Sequence, residues 1–337
     1  MTGLADHAQR RFAGHETFAP RFGWLRKAYE AVKDGGAGPD GEHSAAFLTP
    51  TAPVDLGVGK NMVNAIRYWA QAFGLTVEGR VDTKSRALYA KATDRSRWLF
   101  GDDGVDPWLE QPATLWLLHW WLLRRTCLAP TWWVAFYRLP TVRFQDSGLV
   151  IEVERAIDAA AWEPVNRSSI VKDVDCLTKM YAPRRAAAGS PGSIEDLLDS
   201  PFRELGILEA VPGETREWRF AATPRLPAPP AVIGYACLDY MARHDIKGQI
   251  STARLAQEPG AVGRALRLSE PALVEALDGL CATSDHLRLT DSLGQRALAV
   301  DTSPQLLADA IINEYYQSTR TVTDMRASRR RRRKESA

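Results

Sequence analysis

The stretch Pro112-Ala-Thr-Leu-Trp-Leu-Leu-His-Trp-Trp-Leu-Leu123 constrains the fold more than any other. Pro112 and Thr114 suit a helix start, and a helix that is apolar almost all round has to be buried on every side. It predicts a central core strut. Trp132, Trp133, Phe136 and Tyr137 follow closely and extend an aromatic core; so dense a cluster reads as packing rather than as a stacking surface for bases. The longest apolar run, Leu115 to Leu123, is interrupted by His119 and is too short to span a bilayer. No signal peptide precedes the polar start Met1 to Arg11, so the chain is expected to be cytoplasmic, with no membrane partner.

At 337 residues the chain should divide into two or three domains. The pattern predicts a mainly α protein with small β-hairpins. Residues 1–100 read as a winged helix-turn-helix domain: a helix from about Ala19 to Lys33 capped by Thr17, a short helix, a helix Lys60 to Phe73, and strands across Leu75 to Tyr89 with a turn near Gly79. Residues 101–222 read as a helical, Trp-rich middle, with helices at Leu149 to Trp162 and Val165 to Met180. Residues 231–320 repeat the first pattern as a second winged-helix-like domain: Ile233 to His244, Thr252 to Gln257, Pro271 to Cys281, a hairpin Leu287 to Val300 and a closing helix Pro304 to Gln317. Residues 321–337 read as a basic disordered tail.

The helix opening at Lys60 carries the first functional expectation. At about 100° per residue, Met62, Ile66, Trp69, Ala70 and Phe73 share one side, and Lys60, Asn64, Arg67 and Gln71 form a narrow stripe opposite. Lys and Arg reach phosphates, and Asn, Gln and Arg can bond base edges in a major groove, so Lys60, Asn61, Asn64, Arg67 and Gln71 are expected to engage double-stranded DNA. Lys84 and Arg86 lie where a wing would touch phosphates. The net charge of +2 conceals a segregation: residues 1–100 carry 14 Lys and Arg against 10 Asp and Glu, and the last nine residues carry 6 against 1. A polyanion should therefore meet the two ends of the chain. In the second winged-helix-like segment, Glu270, Glu275 and Asp278 would repel phosphate, so that segment is expected to bind protein or to brace the fold.

Catalytic chemistry is sparse in the residue pattern. Gly57-Val-Gly-Lys60 lacks the Gly of a phosphate loop at Val54 and has Asn61 in place of the hydroxyl that would hold magnesium. Asp102, Asp103, Asp106 and Glu110 read better as turn residues than as metal ligands, and Asp173 and Asp175 point in different directions on one helix. Cys127, Cys176, Cys237 and Cys281 stand far apart and read as reduced core residues.

Several stretches together resemble the SspB-like proteins of bacterial DNA phosphorothioation operons. They are Gly14-His-Glu-Thr-Phe18 with Arg21-Phe-Gly-Trp-Leu-Arg-Lys27, Leu56-Gly-Val-Gly-Lys-Asn-Met-Val63 through Trp69, Asp106 to Trp120, and Ser168 to Cys176. The resemblance covers roughly residues 12–320. It implies a DNA-binding component of a phosphorothioate modification and phage-defence system, described as nicking DNA so that sulfur can be incorporated. It also implies a desulfurase, an ATPase and a sulfur transferase as partners, and magnesium or manganese if the protein cleaves; a homodimer is left open. His15, Glu16 and Asp173 lie in the matching motifs and are the catalytic candidates. Where the family favours Tyr and Asp, this chain has Trp108 and Gln111, so no metal-ligand role follows for position 111. A non-catalytic winged-helix adaptor or regulator is the alternative, and a protein-interaction scaffold the next.

Overall fold

The Trp-rich stretch folds as the sequence requires: every residue from Ala113 to Leu123 is buried. The start of this helix is set by Asp106, whose carboxylate accepts the amides of Glu110 and Gln111 at 2.9 and 3.0 Å and the Thr114 hydroxyl at 2.6 Å. The turn leading into the helix is thereby fixed to its first turn through Thr114. His119 is the one ionisable group within the helix. Its Nε2 lies 2.9 Å from the Ala265 carbonyl, which can only accept, so that nitrogen carries the proton and Nδ1 accepts the Tyr181 hydroxyl at 2.7 Å.

The computed structural model describes residues 3–36, 41–80, 88–182, 200–292 and 294–335, with side chains as far as Arg320. In chain order the described elements begin with helices α1 (Leu4–His7), α2 (Trp24–Val32), α3 (Ala52–Leu56) and α4 (Lys60–Ala72). Strands β1 (Thr76–Gly79) and β2 (Tyr89–Ala92) pair antiparallel, and helices α5 (Asp94–Phe100), α6 (Pro112–Leu123) and α7 (Pro130–Tyr137) follow. Strand β3 (Arg143–Gln145), helices α8 (Asp146–Ala159) and α9 (Arg167–Tyr181), a 3-10 turn (Pro201–Leu205) and strands β4 (Leu208–Ala210) and β5 (Glu217–Phe220) come next. These three strands form an antiparallel sheet in the order β3-β5-β4. The remainder comprises α10 (Pro230–Arg243), β6 (Gln249–Ser251), α11 (Thr252–Gln257), α12 (Val262–Leu266), α13 (Glu270–Cys281), β7 (Leu287–Ser292), β8 (Gln295–Val300) and α14 (Pro304–Glu335).

The chain forms two compact units, Met1–Pro227 with Arg264–Arg267, and Ala228–Gly263 with Leu268–Ala337. The expected boundary near residue 100 does not separate units. Aromatic contacts explain this: Trp69 of α4 meets Trp132 of α7 edge-on at 5.5 Å, and Phe73 stacks on Phe202 at 5.3 Å. Within the second unit α10 packs on α13 and α14, and the sheet runs β6-β8-β7. Ser251 and Ser269 cap α11 and α13 through their side chains, as helix starts favour.

Several expectations are corrected. The first long helix begins at Trp24, after Gly23 at φ 78°, rather than near Ala19; Thr17 caps nothing, because it is left-handed (φ 70°) and its amide bonds the His15 ring. Strand β2 starts at Tyr89, where the hairpin was expected to end. The closing helix continues from Pro304 to Glu335, through most of the tail expected to be disordered. No Gly or Pro interrupts that stretch, and Arg, Ala, Lys and Glu are good helix formers. Cys281 is only half-buried, whereas the other three cysteines are buried, as expected. Among the described residues no helix is long and apolar enough to cross a membrane.

Burial of His119 has a measurable consequence. Loss of solvation depresses its pKa to about 4 from 6.5, against a smaller opposing effect of the Ala265 carbonyl. Between those values the unfolded chain binds a proton that the folded chain excludes, so stability is full above about pH 6.5 and falls with pH by about 3 kcal/mol toward pH 4. Urea denaturation across pH 4 to 7 is expected to show His119→Gln losing about one proton's worth of this dependence.

Candidate nucleic-acid interface

Helix α4 is where the sequence places DNA contact, and its burial pattern shows which of those side chains are free to make it. Val63, Ala65, Ile66, Tyr68, Trp69, Ala70 and Ala72 are buried, so the helix is embedded over most of its circumference. The outer strip is correspondingly narrow. Lys60, Asn61 and Asn64 are exposed at its N-terminal end. Farther along, Arg67 is half-buried in an ion pair with Glu78 of β1, and its Nη2 donates to the Leu88 carbonyl at 2.9 Å. Gln71 accepts from Arg11 at 2.7 Å, and the Arg11 guanidinium lies 4.9 Å from the Tyr68 ring centre. The structure thus leaves the first turn of α4 open and commits the end of the stripe to intramolecular contacts. Lys84 and Arg86 fall outside the described residues.

The Gly14-His-Glu-Thr-Phe18 loop lies against this helix and is sharply folded: Ala13, Glu16 and Thr17 all take left-handed backbone, with φ of 54°, 50° and 70°. Gly14 is needed for close approach, since a Cβ there would lie 2.6 Å from Tyr68 Cδ2. The loop is held by its contacts. The Trp69 indole donates to the Phe18 carbonyl at 2.8 Å, and His15 stacks against Trp69 with ring centres 6.0 Å apart. His15 is fully buried. Its Nδ1 accepts the Thr17 amide at 3.1 Å, so Nε2 carries the proton and donates to Asp173 Oδ1 at 2.9 Å.

Asp173, on α9, is 2% exposed. Besides His15 it accepts the Ala13 amide on Oδ1 at 2.7 Å and the Thr131 hydroxyl on Oδ2 at 2.8 Å. His15 and Asp173, two of the three catalytic candidates, meet although 158 residues apart, and their setting is a closed hydrogen-bond network and not a solvent-facing centre. Glu16 goes the other way: it is half-buried, and its carboxylate accepts from Asn64 at 3.3 Å beside the outer strip of α4. The three candidates therefore do not converge on one point.

The donor chemistry also decides whether a divalent metal fits. A metal needs several convergent oxygen ligands with lone pairs to spare. Both ring nitrogens of His15 are occupied, Asp173 already has three donors, and Asp106 is used up in starting α6. Asp146 accepts from Arg216 and the Trp218 indole, each at 2.6 Å, and Asp175 pairs with Lys179 at 2.6 Å. Among the described residues no group of three or more His, Cys, Asp or Glu could hold a metal ion, so those residues do not fit one.

Comparison with known proteins gives the family. A family model described as a protein of unknown function, DUF4007, matches residues 12–316. The chain belongs to the DUF4007 family. It is similar to an SspB crystal structure, 46% identical with a TM-score of 0.85, over 94% of this chain and 91% of that one. It is equally similar to a magnesium ion-bound SspB crystal structure, 45% identical with a TM-score of 0.86, over 95% and 92%. This is an SspB-like protein, as the motifs around Gly14 and Leu56 imply. The comparison with curated proteins finds no match.

In this SspB-like chain Asp173 supports the loop over α4, and removing its carboxylate leaves buried donors on Ala13, His15 and Thr131 without an acceptor. Asp173→Ala is expected to lower folding stability by about 3–5 kcal/mol, read from the urea midpoint at constant m-value. Asp173→Asn, which keeps one acceptor oxygen, is expected to lose less.

Proposed function

We propose that this protein is the DNA-binding component of a DNA phosphorothioate modification and phage-defence system. In this reading α2, α3, α4 and the β1–β2 hairpin act as a winged helix-turn-helix, with the first turn of α4 entering the major groove. The observation that carries it is the exposed group Lys60, Asn61 and Asn64 on a helix fixed by burial on its other sides. A cation suited to phosphate and two amides suited to base edges are presented on a rigid rod, which is the chemistry of groove reading. The phosphorothioation context rests on the similarity to SspB, and it implies cytoplasmic work beside a desulfurase, an ATPase and a sulfur transferase. The Glu270–Cys281 helix has no lysine or arginine, and we assign its unit to protein contact or support.

Arg67 and Gln71 act in this reading as supports: Arg67 ties α4 to β1, and Gln71 ties it to Arg11. Strand nicking is a second reading, favoured by the magnesium ion bound to one SspB relative. The geometry of the described residues supports binding better than cleavage, because their buried carboxylates are already committed.

Fluorescence anisotropy over a salt series tests the binding face. Lys60→Ala is expected to weaken duplex binding across sequences and reduce the slope of log K against log salt by about 1, and adding Asn64→Ala to relax base preference. Unchanged affinity and slope in the double variant would remove the DNA-reading role of α4. For cleavage, purified protein is incubated with supercoiled plasmid and magnesium or manganese; open-circular product supports nicking, and its absence leaves the binding component.

A further inference from the structure

Between α2 and α3 lies a cavity of about 560 Å³, within the size range of about 300–1,000 Å³ that small-ligand sites occupy. Arg26 and Lys27 of α2 and Asp55 and Leu56 of α3 line it, with Glu30 and Trp108. The lining holds two cations and two anions, with Arg26 paired to Glu30 along α2 at 3.7 Å, so it has no net charge and does not suit a phosphate. It instead sets donors and acceptors around an apolar interior. Lys27 is fixed by its bond to the Leu56 carbonyl at 2.8 Å, and Asp55 accepts the Thr51 hydroxyl at 2.9 Å.

Trp108 decides the ligand class. Trp108 is 64% exposed although the Arg26 guanidinium lies 3.7 Å from its ring centre, so much of the residue is free to meet a ligand. Exposed indole surface beside a guanidinium favours a flat, uncharged heteroaromatic ring, whose edge donors and acceptors would meet the polar rim. The cavity also lies close to the proposed DNA face: Leu56 lines it, and Lys60 is four residues on, at most about 14 Å of chain away.

We propose that this cavity receives one unpaired nucleobase of the DNA held on α4, stacked on Trp108. The inference relies on the DNA-binding reading only for delivery of the base.

The test uses the full chain with two duplexes that differ in one feature, a bulged 2-aminopurine against the same base fully paired. Wild type is expected to bind the bulged duplex about ten-fold more tightly and to quench its fluorescence. Trp108→Ala is expected to remove both effects while leaving affinity for the paired duplex unchanged, and Trp108→Phe to restore them. Because Trp108 is largely exposed, thermal denaturation should show both variants folded. Lys60→Ala should weaken both duplexes equally, so failure of the α4 reading is told apart from failure of the cavity. Should neither duplex bind, quenching of free 2-aminopurine deoxyriboside by wild type but not by Trp108→Ala still supports the base site. No preference for the bulge, a preference that survives Trp108→Ala, or capture of N-acetyltryptophanamide in place of the nucleoside overturns it, the last in favour of a protein side chain.

Discussion

The Asp173 carboxylate, set in an apolar interior and saturated by three donors, is the contact on which the N-terminal half of this structure depends. An isolated carboxylate at that depth would be strongly unfavourable, and the Ala13 amide, the His15 ring and the Thr131 hydroxyl together offset the lost hydration. These donors come from the start of the chain and from α7, so one side chain on α9 ties three distant segments together. The loop so held lies against Tyr68 and Trp69, and α4 has little freedom to roll.

That arrangement also accounts for how narrow the outer strip of α4 is. A helix buried on Val63, Ala65, Ile66, Tyr68 and Trp69 turns a thin sector outward, and intramolecular partners claim its later part. Arg67 illustrates the competition: half-buried, its guanidinium would lose solvation without a partner, and Glu78 and the Leu88 carbonyl supply one. Lys60, Asn61 and Asn64, toward the start of the helix, stay exposed, Asn64 with a single bond to the half-buried Glu16. The same reasoning applies to the acidic residues, for Asp106, Asp146 and Asp173 each serve nearby amides, hydroxyls, indoles or guanidinium groups.

Much of the fold is legible in the sequence where periodicity is strong. Helices α8, α9, α10, α11 and α13 and the β7–β8 hairpin fall within a few residues of where the sequence pattern places them. Helix α7 and strand β3 escape, because eight largely apolar residues give little more than two turns in which to mark a period, and a three-residue strand is shorter than any reliable alternation. The left-handed loop at Ala13 to Thr17 escapes for another reason: its conformation is stabilised by Trp69 and Asp173, remote in sequence, against its local preferences.

By itself the sequence determined that Pro112–Leu123 would be a buried strut, that α4 would carry cations and amides opposite an aromatic face, and, through short motifs, that the chain is SspB-like. Those properties follow from residue identity and spacing along single elements. Only the tertiary structure decided that His15 and Asp173 would close on each other away from solvent, that Glu16 would turn toward Asn64, and that Trp108 would stand open beside Arg26 over a cavity. Each of these depends on which distant groups desolvate a side chain and which satisfy its hydrogen bonds, and no local pattern encodes that.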